Sequence, residues 1–196
     1  MALTKLNNKS VANVSTLPVA LGDMILVSSA TASASATIDF TLGDYKEYQF
    51  YFVNMHPQTG GTQFQMNFST DSGSNYNVTK TTTAFRAYHD EADTTTDLAY
   101  YTDGDLAQST AYQRLADSLG NGNDECLSGQ MSVFNPSSTT YVKHFIARSN
   151  YYHDLALSLE FYVAGYANTT SALTNIRFQM SSGNIDEGTI LMYGIN

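Results

Sequence analysis

The C-terminal stretch of the chain decides the fold class. It reads IRFQM (176–180), SSGNIDEG (181–188) and TILMYGI (189–195). In the first run every second residue from Ile176 is apolar, which is the period of a half-buried strand. The connection is rich in turn residues, so the two runs are interpreted as an ordinary β-hairpin. We expect the terminal run to be paired inside a sheet, because a frayed end would expose its apolar residues.

The same pattern continues upstream, most clearly where Phe64, Met66 and Phe68 alternate with polar residues. Turn residues separate the apolar runs. Eight to ten such runs favour an all-β fold, an antiparallel β-sandwich of the jelly-roll type. Residues 112–119 fit a short helix or a strand equally well. The other predicted strands cover residues 24–27, 38–42, 47–54, 79–88, 127–133, 141–148 and 155–166.

Composition agrees with one β domain. The chain has 196 residues, of which 42% are hydrophobic, 12% aromatic and only 14% charged. Few charges and many β-branched and aromatic residues favour strands. We therefore assign residues 24–196 to the β-sandwich and residues 1–23 to an extended N-terminal arm.

The arm carries isolated apolar residues among polar ones, and Pro18 and Gly22 interrupt any long element. Alone it cannot bury those residues. It is either a disordered leader or a segment that folds against a neighbouring subunit or another protein. In the second case the docking residues are Leu3, Leu6, Val11, Val14 and Leu17.

Charge excludes some partners. The formal net charge is −9, and the nine Lys and Arg residues are scattered. Nucleic acid and anionic membrane surfaces both require clustered basic residues, so neither is an expected partner. No apolar stretch is long enough to cross a bilayer, and we expect no membrane insertion and no signal peptide.

Motifs for catalysis and metal binding are absent from the sequence, so we expect a non-enzymatic protein without catalytic residues, cofactor or metal. Cys126 follows two acidic residues and fits a small core residue better than a reactive thiol. The four histidines lack zinc spacing, and His144 is interpreted as a structural histidine. Residues 71–75 fit an ordinary turn capped by Asp71. The acidic residues from Asp90 to Asp105 form a solvated loop or, alternatively, a calcium site.

Residues 89–123 lose the alternation and are interpreted as long surface loops, which often carry function in sandwich folds. Two adjacent pairs, Tyr100–Tyr101 and Tyr151–Tyr152, bind a sugar or protein partner if they lie in loops. If they lie in strands, one member of each pair is core. The candidate outward or receptor-contacting residues are Asp90, Asp93, Asp97, Tyr100, Tyr101, Asp103 and Asp105.

Four stretches resemble a known class of proteins. They are ALTKLNNKSVANV (2–14), FSTDSGSNY (68–76), FNPSS (134–138) and the closing segment 176–195. Together they are similar to small β-sandwich virion proteins of tailed bacteriophages, especially aquatic ones. The similarity covers both ends and several turns, but not residues 89–123.

The resemblance implies a virion surface protein, made in the host cytoplasm and assembled as a homotrimer. Such modules decorate capsids or form the distal parts of tail fibres. A single short arm precedes the sandwich, so we expect capsid decoration, with the arm binding the major capsid protein or another virion protein. The alternative is a tail-fibre module whose loops bind the host, with a host surface glycan as the receptor. An enzyme acting on such glycans is a third, weaker hypothesis.

Overall fold

The computed structural model describes residues 24–196, and in that range it contains strands and no helix. The predicted all-β antiparallel sandwich is confirmed. The strands are β1 (Ile25–Thr31), β2 (Ile38–Thr41), β3 (Glu47–Pro57), β4 (Phe64–Ser69), β5 (Lys80–Asp90), β6 (Thr96–Tyr100), β7 (Gln113–Arg114), β8 (Leu127–Phe134), β9 (Lys143–His153), β10 (Leu157–Ala167), β11 (Asn175–Met180) and β12 (Ile185–Ile195).

Two antiparallel sheets of unequal width form the sandwich. The large sheet has eight strands in the order β1-β12-β3-β8-β9-β10-β5-β6. The small sheet has four strands in the order β2-β11-β4-β7. The ambiguous segment 112–119 is neither a helix nor a full strand: Gln113 and Arg114 form the short strand β7, paired with Met66 and Gln65 of β4, and residues 115–118 are irregular. The predicted arm, with its five docking residues, lies outside the described residues.

The predicted C-terminal hairpin is wrong. Strand β11 pairs with β2 and β4 in the small sheet, whereas β12 lies between β1 and β3 in the large sheet. The connection 181–184 therefore passes from one sheet to the other. Both strands bury one face in the same core, but they approach it from opposite sides. The expectation that the terminal strand is paired inside a sheet is confirmed.

Aromatic rings from both sheets meet around Phe178 of β11, which is fully buried. Its ring lies against four other phenylalanines, with centroid distances of 5.2 to 6.2 Å, and mostly in the edge-to-face arrangement that aromatic pairs prefer. These neighbours are Phe40, Phe50, Phe52 and Phe64. The packing joins the two sheets where β11 faces β3.

A buried lysine also connects the sheets. Lys80 of β5 is fully buried, and its Nζ donates to Asn67 Oδ1 of β4 at 2.6 Å and to the Val78 carbonyl at 2.8 Å. The Asn67 amide in turn donates to the carbonyls of Tyr76 (2.7 Å) and Thr110 (3.0 Å). Hydrogen bonds rather than a carboxylate thus satisfy the ammonium group. Desolvation lowers the pKa of Lys80 to about 7.

Candidate binding surface

The predicted outward residues lie on and after a β-hairpin at one edge of the large sheet. Strand β5 pairs with β10 on one side and with β6 on the other, and β6 is the last strand of that sheet within residues 24–196. Segment 89–123 is therefore not composed of loops alone. Its first part is the end of β5, a turn and β6, and surface loops with the short strand β7 follow.

Asp90 closes the turn of this hairpin. Its Oδ1 accepts hydrogen bonds from the backbone N–H groups of Thr94 (2.8 Å) and Thr95 (2.9 Å), and the Thr94 hydroxyl donates to Oδ2. These bonds, led by that of the Thr94 hydroxyl, lower the pKa of Asp90. Asp90 is thus committed to the turn rather than free for a partner.

The other acidic residues are spread along the surface. Asp93 lies at the tip of the turn, with Oδ1 3.1 Å from His89 Nε2. Asp97 is exposed on β6 opposite Tyr88, and Asp103 is exposed in the next turn. Within the part of the chain that the structure describes, no three His, Cys, Asp or Glu residues are grouped to hold a metal ion.

Tyr100 is the last residue of β6 and Tyr101 follows it, and the two side chains have different surroundings. Tyr100 is 55% exposed, and its hydroxyl donates to Asp105 Oδ2 at 2.5 Å. Tyr101 is half-buried: its ring meets Phe161 edge-on at 5.7 Å, and its hydroxyl donates to Asp117. Only Tyr100 is available to a partner.

We expect Tyr101→Ala to destabilise the fold by about 2–3 kcal/mol, because it removes a half-buried ring and an anchoring hydroxyl. Tyr100→Ala should change the free energy of unfolding by less than about 0.5 kcal/mol, as is usual for surface residues. Urea unfolding of both variants measures the difference. Equal losses would contradict the division of roles.

The second tyrosine pair lies within β9, where successive residues point to opposite sides of the sheet. Tyr151 is 2% exposed and its hydroxyl oxygen accepts the Asp117 N–H at 3.0 Å, while Tyr152 is only half-buried. Burial raises the pKa of Tyr151. The strand interpretation, in which one member is core, is confirmed for Tyr151–Tyr152, whereas Tyr101 lies just after β6 and packs against the core while only partly buried.

The outer side of the large sheet carries a row of large side chains that the sequence analysis missed. In register across β9, β10, β5 and β6 lie Arg148, Tyr162, Phe85 and Tyr100. The rings of Phe85 and Tyr162 are stacked with centroids 4.6 Å apart and planes 9° apart. The Arg148 guanidinium lies 5.2 Å from the Tyr162 centroid.

We call the outward positions of β9, β10, β5 and β6 the outer aromatic face. Two of its residues carry a formal charge, Arg148 and Glu160, and they form a salt bridge with each other. Its other members are His144, Ile146, Asn150, Tyr152, Ser158, Tyr162, Ala164, Tyr166, Thr81, Thr83, Phe85, Ala87, His89, Thr96, Leu98 and Tyr100.

A signal for this face was present in the sequence. Residues 155–166 form the longest apolar run, with Tyr162 among them, and strands covered on both sides show such runs. The run forms β10, and the apolar residues on its outward side contribute to this face.

His144 corrects another expectation. It was interpreted as a satisfied structural histidine, but its side chain is exposed on the outer aromatic face, 6.0 Å from the Tyr166 ring. The reason is its register, because the buried residues of β9 are its neighbours Lys143 and Phe145. The buried structural histidine is His153 instead. It is 8% exposed, and its Nδ1 lies 2.9 Å from Asp154 Oδ1.

The Asp71 turn is as expected, whereas Cys126 is not the core residue that was expected. Asp71 accepts the Ser69 hydroxyl at 2.6 Å and both the backbone and side-chain N–H groups of Asn75, which together lower its pKa to about 2. Cys126 is partly rather than fully buried, and desolvation raises the pKa of its thiol. Neither arrangement activates a nucleophile.

Comparisons with protein families, with curated proteins and with solved structures gave no match. In the described range there is also no helix suited to crossing a membrane.

Proposed function

We propose that this chain is a non-enzymatic structural protein of a tailed-bacteriophage virion. It assembles as a homotrimer at the virion surface and decorates the capsid. The arm binds the major capsid protein or a neighbouring subunit through its apolar residues. The observation that carries this proposal is the similarity of both ends of the chain to small β-sandwich virion proteins, and the β-sandwich that this similarity implies is the fold of residues 24–196.

Two physical features suit the arm to docking. Each of its apolar side chains contributes about 1.5–3 kcal/mol when it is fully removed from water, so five of them give a substantial driving force. Lys5 and Lys9 make the arm basic at its start, whereas the whole chain carries a net charge of −9. An arm that adds a strand to the edge of a neighbouring sheet would gain backbone hydrogen bonds as well.

Deletion of residues 1–21 tests the arm directly. We expect the shortened protein to keep the circular dichroism of a β-sandwich and to lose binding to undecorated capsids, measured by co-sedimentation. A full-length variant with serine at positions 3, 6, 11, 14 and 17 should behave in the same way. Full occupancy by either protein would contradict the proposed role of the arm.

A second candidate is a host-binding module of a tail fibre, which the exposed Tyr100 favours. In that case purified protein should adhere to host cells through a surface receptor such as a glycan, and it should block infection. Tyr100→Ala would then weaken adhesion, whereas loss of the arm would not.

A further inference from the structure

We propose that the outer aromatic face is the contact through which copies of this chain associate. The inference rests on the proposed function only in that a homotrimer needs a subunit contact. Its partner is a second copy of the chain rather than a saccharide or an unrelated protein.

Exposure is the first argument. Leu98 is 71% exposed, Tyr100 55%, Ile146 54% and Phe85 43%, and these four side chains lie on one side of one sheet. Single exposed apolar residues are normal, but a continuous patch of them marks an interaction site.

Charge is the second argument, and it favours a copy of the same chain. Two copies of a chain with net charge −9 repel each other wherever acidic surfaces meet. The outer aromatic face carries no net Lys, Arg, Asp or Glu charge, because Arg148 and Glu160 neutralise each other. Contacts between identical subunits are also richer in apolar area than other interfaces.

Ring orientation argues against a saccharide. Sugars stack on the exposed flat faces of aromatic rings. Here Tyr162, at the centre of the row, has Phe85 against its ring on one side and the Arg148 guanidinium over its ring, so its faces are already occupied. Stacked aromatic rings with aliphatic side chains around them suit contact with another protein surface.

The dimensions fit a subunit contact. Strands β9, β10 and β5 have eleven residues each, and adjacent strands are about 4.8 Å apart. The four strands therefore offer roughly 600 Å² of surface, close to the ~800 Å² per partner of a standard stable interface. A shallow depression over Thr83, Ala164 and Gly165, bordered by Ile146 and Tyr166, gives this surface a socket for an apolar side chain.

The test is the molar mass of the full-length chain, measured by size-exclusion chromatography with light scattering over a range of concentrations. We expect the wild type to be an oligomer. Leu98→Asp and Ile146→Asp should each weaken association at least tenfold, because each places a desolvated carboxylate in the contact. Leu155→Asp is the matched control: Leu155 is also 71% exposed but lies in the β9–β10 turn, and its variant should keep the wild-type mass.

The mass also gives the number of subunits, which distinguishes a dimer from a trimer. A two-fold dimer buries this face against itself, whereas a ring of three sets it against a different surface of the next copy. Circular dichroism verifies that both variants remain folded, as their exposed positions predict. A monomeric wild type, or Leu98→Asp and Ile146→Asp proteins that keep the wild-type mass, would overturn the inference. Either result leaves the capsid-binding role of the arm to its own deletion experiment.

Discussion

Phe178→Ala is expected to destabilise the protein by about 3–5 kcal/mol, the range for removing a fully buried phenylalanine. The loss is large because Phe178 contacts rings from both sheets, so the cavity cannot close without separating them. Urea unfolding followed by circular dichroism measures the change in the free energy of unfolding.

Phe134→Ala is the matched control for this variant. Phe134 is at the end of β8 and 36% exposed, so its removal should cost far less. Equal losses in the two variants would contradict the placement of the core around β11.

Stability should rise with pH between about 7.5 and 9 because of Lys80. Burial lowers the pKa of Lys80 from 10.5 to about 7, so between these values the unfolded chain binds a proton that the folded chain does not. The free energy of unfolding therefore increases with pH across this window, by up to about 1.4 kcal/mol per pH unit for one group. Below pH 7 both states are protonated and this contribution is constant.

Lys80→Met should reduce the slope, because methionine keeps an unbranched side chain without the titrating group. Some slope of the same sign should remain from Lys143, whose pKa burial also lowers. Lys46→Met, at an exposed position, should leave the slope unchanged. A wild-type stability that is flat or falling from pH 7.5 to 9, or a Lys80→Met protein with the full slope, would contradict this account.

The local pattern predicted the strands well. Period-two alternation at Phe64, Met66 and Phe68 became β4, in which all three are fully buried, and the analogous run from Ile176 became β11. Alternation reports only that one side of a strand is buried. It does not say which strand lies beside it, and so the closing segment was assigned to a hairpin although its strands lie in different sheets.

The binding surface was predicted less well, for a related reason. Acidic residues indicated loops, and the loops were expected to carry the site. In the structure the carboxylate of Asp90 accepts hydrogen bonds within its own turn, and the Tyr101 hydroxyl donates to Asp117. The outer aromatic face joins residues from β5, β6, β9 and β10 that are far apart in the sequence, and only the pairing of those strands brings them together.

Immunogold labelling of intact virions, with antibody against this protein, tests the central claim most directly. The account predicts gold particles over the whole surface of the head. It also predicts fewer gold particles on virions whose copies of this protein lack the arm than on wild-type virions. Gold confined to the tail would contradict capsid decoration in favour of host attachment, and virions without any gold would contradict a place on the virion surface.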